Sequence, residues 1–468
     1  MSDLHWMSAS ALAEAYRARQ LSPVEVTRAA LDRLAALNPR LNAFYLVDED
    51  GAMKAAGQSE ARWMQGAEFG PLDGVPTSAK DALSTIGWVT YRGSGAHQEP
   101  TSNPDSDAPA IARQREQGMV LLGKTTMPDF GILASGYSSK HGVTRNPWNQ
   151  ALNCGGSSSG AAVSVAAGIA PLAVGTDIVG SIRLPASFCG LYGLKPSQGR
   201  VPYYPPNDPA LAAGPMSRNV ADAVLLMQAI GRPDQRDFTA LPPSPIDYAA
   251  AMGGSVAGAR VGWLDQLGFG TSADAEVIQI AGRAARIFEG CGCALRPISL
   301  AFAPDELAAA ETYYRTRCYA EFMKFTSAQR DRAVVIRDWT ASISRVGARE
   351  LFDAMQTMRR MRERVVRLFD DLDFLLLPSV HIPPFAAELP APDADALFAP
   401  WINTFLFNIT EQPAASVPCG LTAAGAPVGL QIVGRRFDDE GVIGMSSAFE
   451  RMSGPFPMPD EARILGQS

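Results

Sequence analysis

Long apolar runs and an excess of basic residues are both missing from this sequence. No uncharged apolar segment reaches the ~20 residues that a helix needs to cross a membrane. The N-terminal segment carries Asp3, Glu14, Arg17 and Arg19 and lacks the apolar core of a secretory signal. With 48 acidic and 41 basic residues, the net charge of −7 argues against nucleic acid or an anionic membrane as a partner. We therefore predict a cytoplasmic protein.

Cysteine and histidine are also scarce, at six and four residues among 468. The cysteines form no CxxC pair and have no histidine at ligand spacing, which disfavours a zinc site and a disulfide framework. So few histidines, together with the absence of a GxSxG elbow, disfavour a Ser–His–Asp hydrolase. Cys154 and Cys189 lie on either side of a serine-rich segment, so a thiol nucleophile is a further alternative. The other interpretation is that both cysteines are core residues.

Short apolar runs alternate with helical patterns after a helical N-terminal stretch. This alternation predicts an α/β layered fold. The predicted strands are residues 119–122, 172–174, 260–264, 374–377 and 428–433. The proline-rich segment 231–254 predicts either a domain linker or a surface loop inside one domain, and we favour the loop. Residues 205–215 predict a second loop.

The segment from residue 154 to residue 200 is rich in small residues and poor in charge. A Gly/Ser loop at 155–160 leads into an apolar helical stretch, and a second Gly/Ser turn covers 175–181. A loop of this kind at a helix start exposes backbone N–H groups that can bind an anion or a developing oxyanion. The two turns therefore indicate acyl-transfer or phosphate chemistry, without deciding between them.

A nucleotide-binding alternative rests on residues 118–125, which match the pattern GxxxxGKT. A working P-loop uses the intervening residues as a flexible phosphate cradle. Here those residues are Met-Val-Leu-Leu, which predict a buried strand instead. We therefore favour a strand that ends in a turn near Lys124.

A set of motifs in a fixed order carries a resemblance to a known family. The motifs are residues 71–81, 123–128, 145–148, the GGSSxG loop from Gly155, the GTDxxGSIRxPA turn from Gly175, the CGxxGLKP run from Cys189, and residues 412–418 and 427–431. Together they resemble the amidase signature family over about residues 8–450. The resemblance implies one α/β/α layered domain, with a mixed central sheet covered by helices.

The resemblance also implies a division of the single amidase domain 1–468. It comprises an N-terminal helical region 1–65, a signature core 66–232, a variable substrate-pocket region 233–400 and a C-terminal part of the core 401–455. The implied activity is hydrolysis of a carboxamide C–N bond by a Ser–Ser–Lys triad. Ser181 is then the nucleophile, Ser157 the proton relay after a cis peptide bond, and Lys80 the general base.

A lysine can act as a base only when neutral, which requires that burial or donors aimed at its nitrogen lower its pKa. The resemblance places the oxyanion hole at the N–H groups of Ile178, Val179, Gly180 and Ser181. Water would hydrolyse the acyl-enzyme, so neither a metal nor an organic cofactor is implied. Gly131 and Ile132 are the substrate contacts that the resemblance suggests.

Three residues depart from the family pattern. Val179 stands where relatives carry glycine, so this turn must have φ below zero or be strained. Ser159 and Cys154 replace a glycine and a proline. These changes affect specificity more than activity. Asp177 and Arg183 flank Ser181 and either brace the turn as an ion pair or contact a charged substrate.

The substrate is the least determined part of the prediction. Members that resemble this chain act on a range of amides, and we favour a small or aryl carboxamide. Carbamate or anilide and urea-type substrates are alternatives within the same chemistry. A different alternative is a component like the glutamyl-tRNA amidotransferase A chain, acting in a complex. The expected partner is otherwise a small-molecule amide or carbamate, and assembly as a homodimer stays open.

Overall fold

Strands from most of the chain join into one mixed sheet. The computed structural model describes residues 4–97, 105–205, 210–243, 245–269 and 271–465. The sheet has eleven strands in the order β1-β3-β2-β8-β10-β9-β14-β15-β13-β11-β12. Its strands are β1 Phe44–Val47, β2 Pro76–Lys80, β3 Val120–Thr125, β8 Leu172–Asp177, β9 Tyr192–Lys195, β10 Ala212–Ser217, β11 Arg260–Trp263, β12 Ala294–Pro297, β13 Phe374–Pro378, β14 Ala414–Leu421 and β15 Pro427–Val433.

Two small hairpins lie outside this sheet. They are β4 Tyr137–Ser138 with β5 Gly142–Val143, and β6 Arg145–Asn146 with β7 Asn149–Asn153. In the large sheet β2 is parallel to both β3 and β8, whereas β8, β10, β9, β14 and β15 follow one another antiparallel. All five strands predicted from apolar runs are confirmed.

Helices cover both faces of the sheet. They are α1 Ala9–Arg17, α2 Pro23–Leu41, α3 Glu49–Gln65, α4 Pro109–Glu116, α5 Ser159–Ala166, α6 Arg183–Cys189, α7 Val220–Ile230, α8 Tyr248–Met252, α9 Ala275–Ala285, α10 Ile287–Gly290, α11 Pro304–Phe322, α12 Ser327–Arg330, α13 Val334–Ala341, α14 Ala348–Leu368, α15 Leu406–Ile409, α16 Asp439–Ser453 and α17 Glu461–Leu465. Within the described ranges, none of them is both long and apolar enough to span a membrane.

Successive residues of β8 show how the layers form. Leu172 and Val174 pack into a core with α7, α9 and α16, whereas Ala173 between them packs into a core with α2, α3 and α5. Side chains alternate between the two faces of a strand, so each face carries its own layer of helices. The predicted α/β/α layering is therefore confirmed.

The N-terminal region departs from the predicted all-helical 1–65. Its strand β1 pairs antiparallel with β3 at the edge of the sheet. The prediction was wrong there because pairing along β3 fixes this four-residue apolar segment, which is too short to show its own periodicity. Nearby, Ser22 and Glu25 form a reciprocal capping box that starts α2.

The two predicted loops have different outcomes. Segment 231–254 is irregular up to α8, apart from Ser244, which lies outside the described residues. Its Leu241 N–H donates to the Gly199 carbonyl, so it folds back on the signature region. The other prediction, a loop at 205–215, was wrong from Ala212, where β10 begins, and its residues 206–209 lie outside the described residues. All six residues of β10 pair with β8. This pairing makes a strand of a segment whose sequence shows no strand pattern.

Helices of the variable region pack against the serine turn. Tyr314 of α11 and Met361 of α14 belong to one core cluster with Ile178 and Val179. The Tyr314 hydroxyl also donates to the Gly131 carbonyl at 3.5 Å. Helices of this region therefore pack beside the Ser181 turn and Gly131.

Candidate active site

Lys80 ends β2 in the middle of the sheet, and its side chain is fully buried. Its Nζ lies 3.0 Å from Ser157 Oγ, 2.9 Å from Ser158 Oγ and 2.8 Å from Thr176 Oγ1. The Thr176 carbonyl oxygen is 3.3 Å away. Oxygen atoms from two Gly/Ser turns therefore surround the Lys80 amine. Each of these oxygen atoms can accept a hydrogen bond from the amine.

Burial lowers the pKa of the Lys80 ammonium to about 7, because the charged form loses its hydration. The carboxylate of Asp177 opposes this shift, the positive charge of Arg92 adds to it, and Asp81 opposes it weakly. At neutral pH a large fraction of Lys80 is therefore uncharged and able to accept a proton.

The loop that carries Ser157 is tied to the turn that carries Ser181. The peptide bond between Gly156 and Ser157 is cis. The Ser158 N–H donates to the Ser181 carbonyl at 3.1 Å. Ser159, which replaces a family glycine, donates from its hydroxyl to the Gly155 carbonyl at 2.7 Å and begins α5. The serine at position 159 therefore adds a hydrogen bond that braces the loop.

The Ser181 hydroxyl is 1% exposed and has no hydrogen-bond partner among the described residues. Seven other buried hydroxyls of the described residues also have no partner, so the position of Ser181 in the cavity is what distinguishes it. Ser181 and Ser157 line the same cavity, whereas Lys80 lies behind Ser157. The three predicted triad residues are thus brought together, with the Ser157–Lys80 contact already formed.

A buried ion pair holds the Ser181 turn in shape. Arg183 Nη2 lies 2.9 Å from Asp177 Oδ1, and both side chains are fully buried. The same carboxylate accepts the N–H groups of Gly180 at 2.7 Å and Ile182 at 3.1 Å. Burial alone would raise the pKa of Asp177, but the charge and hydrogen bonds of Arg183 outweigh it and lower this pKa to about 2. The structure therefore supports the interpretation that the ion pair of Asp177 and Arg183 braces the turn.

Backbone donors of the turn differ in their availability. The N–H groups of Ile178, Val179 and Ser181 have no hydrogen-bond partner within the described part of the chain, whereas Gly180 N–H is engaged by Asp177. Val179 has φ below zero, the first of the two outcomes predicted for it. Gly180 has φ +137°, and a Cβ there would lie 2.1 Å from Thr404 Oγ1.

The cavity is narrow, with about 30 Å³ open to a water-sized sphere. Of the two suggested substrate contacts, Gly131 lines it, and a Cβ on Gly131 would lie 3.1 Å from Ser157 Oγ. Ile132 does not line it. That residue is fully buried in the core beside Leu133, because the chain turns inward after the short 3₁₀ turn Asp129–Gly131.

Three polar residues of the cavity wall went unnoticed in the sequence: Arg92, Tyr203 and Arg317. Arg92 and Tyr203 lie in irregular segments without a motif. Arg317 precedes Glu321 by one helical turn, a spacing that indicates an ordinary surface ion pair. Only their position in the folded chain identifies these three residues as part of the cavity wall.

The alternatives weighed from the sequence fit the structure less well. Residues 120–125 of the GxxxxGKT match are strand β3, and Lys124 is buried, donating to the Leu83 carbonyl at 3.2 Å. Burial raises the pKa of the Cys154 thiol to about 12 and also raises that of Cys189, so neither is a ready thiolate. Among the described residues that line the cavity there is no histidine.

Comparison with known proteins places this geometry in a family. The chain is 35% identical to the A subunit of the glutamyl-tRNA(Gln) amidotransferase of Myxococcus xanthus (strain DK1622), over 94% of this chain and 96% of that one. Its fold is similar to a bacterial aryl acylamidase of the amidase signature family (TM-score 0.87, 29% identity, covering 99% and 98%). It is also similar to the peptide amidase of Stenotrophomonas maltophilia (TM-score 0.79, 26% identity, covering 97% and 98%).

The class that these relatives and the fold define is an enzyme acting on carbon–nitrogen bonds, as a hydrolase or an amidotransferase. The family model described as Amidase matches residues 25–443. The chain therefore belongs to the amidase signature family, as the sequence motifs predict.

Proposed function

We propose that this protein cleaves the C–N bond of a small carboxamide through an acyl-enzyme on Ser181. Ser157 relays protons and Lys80 is the general base. The observation that carries the proposal is the buried Lys80 amine, 3.0 Å from a serine hydroxyl that shares a cavity with the Ser181 hydroxyl. Serine–lysine pairs are an accepted form of nucleophilic catalysis.

The proton path is built on these contacts. Lys80 Nζ accepts the Ser157 proton, and Ser157 Oγ accepts the Ser181 proton as Ser181 Oγ attacks the carbonyl carbon. When the C–N bond breaks, Ser157 returns a proton to the leaving amine and Lys80 reprotonates Ser157. Water then attacks the ester by the same route and releases the acid. The Ser157–Ser181 hydrogen bond forms as substrate binds, because such contacts are often loose in free enzymes.

Backbone donors would stabilise the oxyanion. Ile178, Val179 and Ser181 contribute N–H groups that have no partner among the described residues. Gly180 joins them only if its N–H leaves the Asp177 carboxylate. A donor that is in place before reaction costs no reorganisation, so the first three carry most of the stabilisation.

The narrow cavity supports a small acyl group. Only about 30 Å³ of it is open to a water-sized sphere, well below the ~300–1,000 Å³ typical of ligand sites. Small aliphatic amides are therefore the first substrates to test, with aryl amides beside them. Carbamates, anilides and ureas present the same carbonyl carbon to Ser181 and are the next substrates to test.

A second candidate function is that of an amidotransferase component like the Myxococcus relative. Identity of 35% over 94% of the chain favours it. In that function the same Ser181 chemistry releases ammonia from a carboxamide donor, and a partner protein uses the ammonia. Both candidates therefore share the acyl-enzyme step and differ in the fate of the ammonia.

The test measures ammonia release by the purified chain alone, on primary carboxamides that include L-glutamine, with carbamate and anilide substrates beside them. Turnover that Ser181→Ala abolishes supports the free amidase. Glutamine turnover that needs co-expressed partner proteins supports the second candidate. No turnover in either condition, with Ser181 unreactive to a fluorophosphonate, contradicts both.

A further inference from the structure

A second cavity lies at the far end of the sheet from Ser181. Its wall includes Tyr192, at the start of β9, and Phe456, in the segment that follows α16. Tyr192 pairs with Ser217 of β10, and Ser217 pairs with Leu172, the first residue of β8. The Ser181 turn instead follows the last of the six residues of β8. At ~3.3 Å a residue, roughly 17 Å of strand therefore separates the two cavities, and we call the second one the α16 cavity.

The α16 cavity is large enough for a small organic molecule. About 500 Å³ of it is open to a water-sized sphere, against about 30 Å³ beside Ser181. This volume falls within the ~300–1,000 Å³ typical of ligand sites. Most of the wall is apolar, and its apolar side chains include Val417, Phe449, Phe456 and Met458. A molecule with an apolar body therefore fits the space better than a strongly polar one.

Among the described residues that line this cavity, Glu450 is the one that carries a carboxylate. Its Oε1 accepts the Val220 N–H at 3.0 Å. Its other oxygen makes no hydrogen bond, and neither oxygen forms an ion pair, within the part of the chain that the structure describes. Burial raises the pKa of Glu450, and the nearby Asp222 carboxylate adds to this effect, whereas the Val220 N–H and the charge of Arg451 oppose it. The negative charge is therefore only partly compensated, and a bound cation would stabilise it.

The two arginines of the wall have other partners. Arg218 uses Nη1 and Nη2 to donate to three backbone carbonyl oxygen atoms, and the Asp222 carboxylate lies close enough to offset its charge. Arg451 is exposed, and its Nη1 donates to the Met252 carbonyl and the Ser447 hydroxyl. Water and salt screen an exposed charge, so Arg451 compensates Glu450 weakly. We therefore expect Glu450, rather than either arginine, to set the charge of a ligand.

We propose that the α16 cavity binds a small organic ammonium ion, with the charged group on the Glu450 carboxylate and the apolar body against Phe456 and Met458. An ammonium and a carboxylate form a charge-assisted hydrogen bond, and aromatic rings attract a cation that lies over their faces. An anion would be repelled by Glu450, and a neutral molecule would leave its charge unpaired. The site lies away from Ser181 and does not depend on the proposed chemistry there.

The experiment titrates benzylammonium into the purified chain in a calorimeter, with benzyl alcohol and benzoate as neutral and anionic probes of similar size. The same titrations are made with Glu450→Gln, Phe456→Ala and Glu440→Gln. Glutamine at position 450 keeps an oxygen that can accept the Val220 N–H. Glu440 is a matched control because it is exposed on the same helix and does not line the cavity.

We expect benzylammonium to bind the wild type at least about 10-fold more tightly than either other probe, since it alone can pair with the Glu450 carboxylate. Glu450→Gln should weaken this binding roughly 10- to 100-fold, the effect of losing a charge-assisted hydrogen bond. Phe456→Ala should weaken it about 5-fold or more through lost apolar contact. Glu440→Gln should bind within about 2-fold of the wild type, because an exposed charge contributes little.

The unfolding temperature of each protein, measured without and with benzylammonium, shows that the variants are folded and detects binding that releases no heat. The inference is overturned if benzylammonium neither releases heat nor raises the unfolding temperature of the wild type. Equal binding of benzyl alcohol would overturn it by showing a purely apolar cavity, and tighter binding of benzoate would overturn it in favour of an anion site at Arg451. Unchanged binding in folded Glu450→Gln would place the amine elsewhere. None of these results depends on turnover at Ser181, so the proposed reaction and this site can fail separately.

Discussion

Two neighbouring serines make the relay assignment testable. Ser157 Oγ and Ser158 Oγ lie 3.0 and 2.9 Å from Lys80 Nζ, so distance to the base does not distinguish them. Their second contacts do. Ser157 lines the cavity with Ser181, whereas the Ser158 hydroxyl faces the backbone of Thr176, 3.2 Å from both its N–H and its carbonyl oxygen.

Substitution by alanine should therefore separate the two roles. Ser157→Ala removes the only proposed proton path between Ser181 and Lys80, and positioned proton transfer is worth roughly 10²–10⁴ in rate. Lys80 keeps its contacts with Ser158 and Thr176, so we expect little loss of stability. Ser158→Ala should keep activity within about 10-fold, but it leaves the buried Thr176 N–H unpaired and lowers the free energy of unfolding by about 1–3 kcal/mol.

The assay is single-substrate ammonia release at saturating amide, with urea unfolding of each variant. We expect a large rate loss with normal stability for Ser157→Ala and the reverse for Ser158→Ala. If Ser158→Ala abolished turnover while Ser157→Ala retained it, the relay would be Ser158 and the reasoning from the cavity would be refuted.

Three further outcomes are expected of the site. For a neutral amide, kcat/KM should rise with pH through an apparent pKa of about 7 and then level off, because Lys80 accepts a proton only when uncharged; a flat profile from pH 5 to 9 would contradict this. Gly180→Ala should lower turnover at least ~100-fold, because its Cβ would lie 2.1 Å from Thr404 Oγ1 and would displace the turn that presents the Val179 and Ser181 N–H donors. Asp177→Asn should lower the free energy of unfolding by roughly 3–5 kcal/mol, measured in urea, by leaving the buried Arg183 charge unpaired.

Gly57→Ala is the control for the glycine substitution. Gly57 lies inside α3, and a Cβ there would meet nothing within 4 Å. Alanine should therefore leave turnover unchanged and stabilise the helix by about 0.5–1 kcal/mol. Full activity of Gly180→Ala, or an inactive Gly57→Ala, would show that crowding at the oxyanion turn is not what matters.

The residues proposed for the catalytic centre can be picked out from the sequence because they lie in short local motifs. Ser157 and Ser181 each sit in a Gly/Ser turn, and Lys80 ends a strand within a recognisable run. The apolar runs predict their five strands for the same reason, because a buried strand is a short run of consecutive apolar residues. Strand β10 was missed because Ala, Gly and Pro carry little strand propensity and only pairing with β8 fixes it.

The polar residues of the cavity wall are harder to predict, since tertiary packing alone brings them together. Arg92 and Arg317 are far apart in sequence, and each on its own looks like a surface arginine. The position of Arg92 depends on Asp81 and on its left-handed backbone, neither of which has a sequence signal. Ile132 is a family position that suggests a contact, and here its side chain lies inside the core.

Covalent labelling of Ser181 tests the proposed acyl-enzyme chemistry most directly. The purified protein is treated with a fluorophosphonate probe, and the modified residue is identified by peptide mass spectrometry in the wild type, Ser181→Ala and Lys80→Met. We expect one adduct, on Ser181, that is absent from Ser181→Ala and forms much more slowly in Lys80→Met. An adduct on another residue, or labelling of Ser181 at an unchanged rate without Lys80, would contradict the assignment of nucleophile and base.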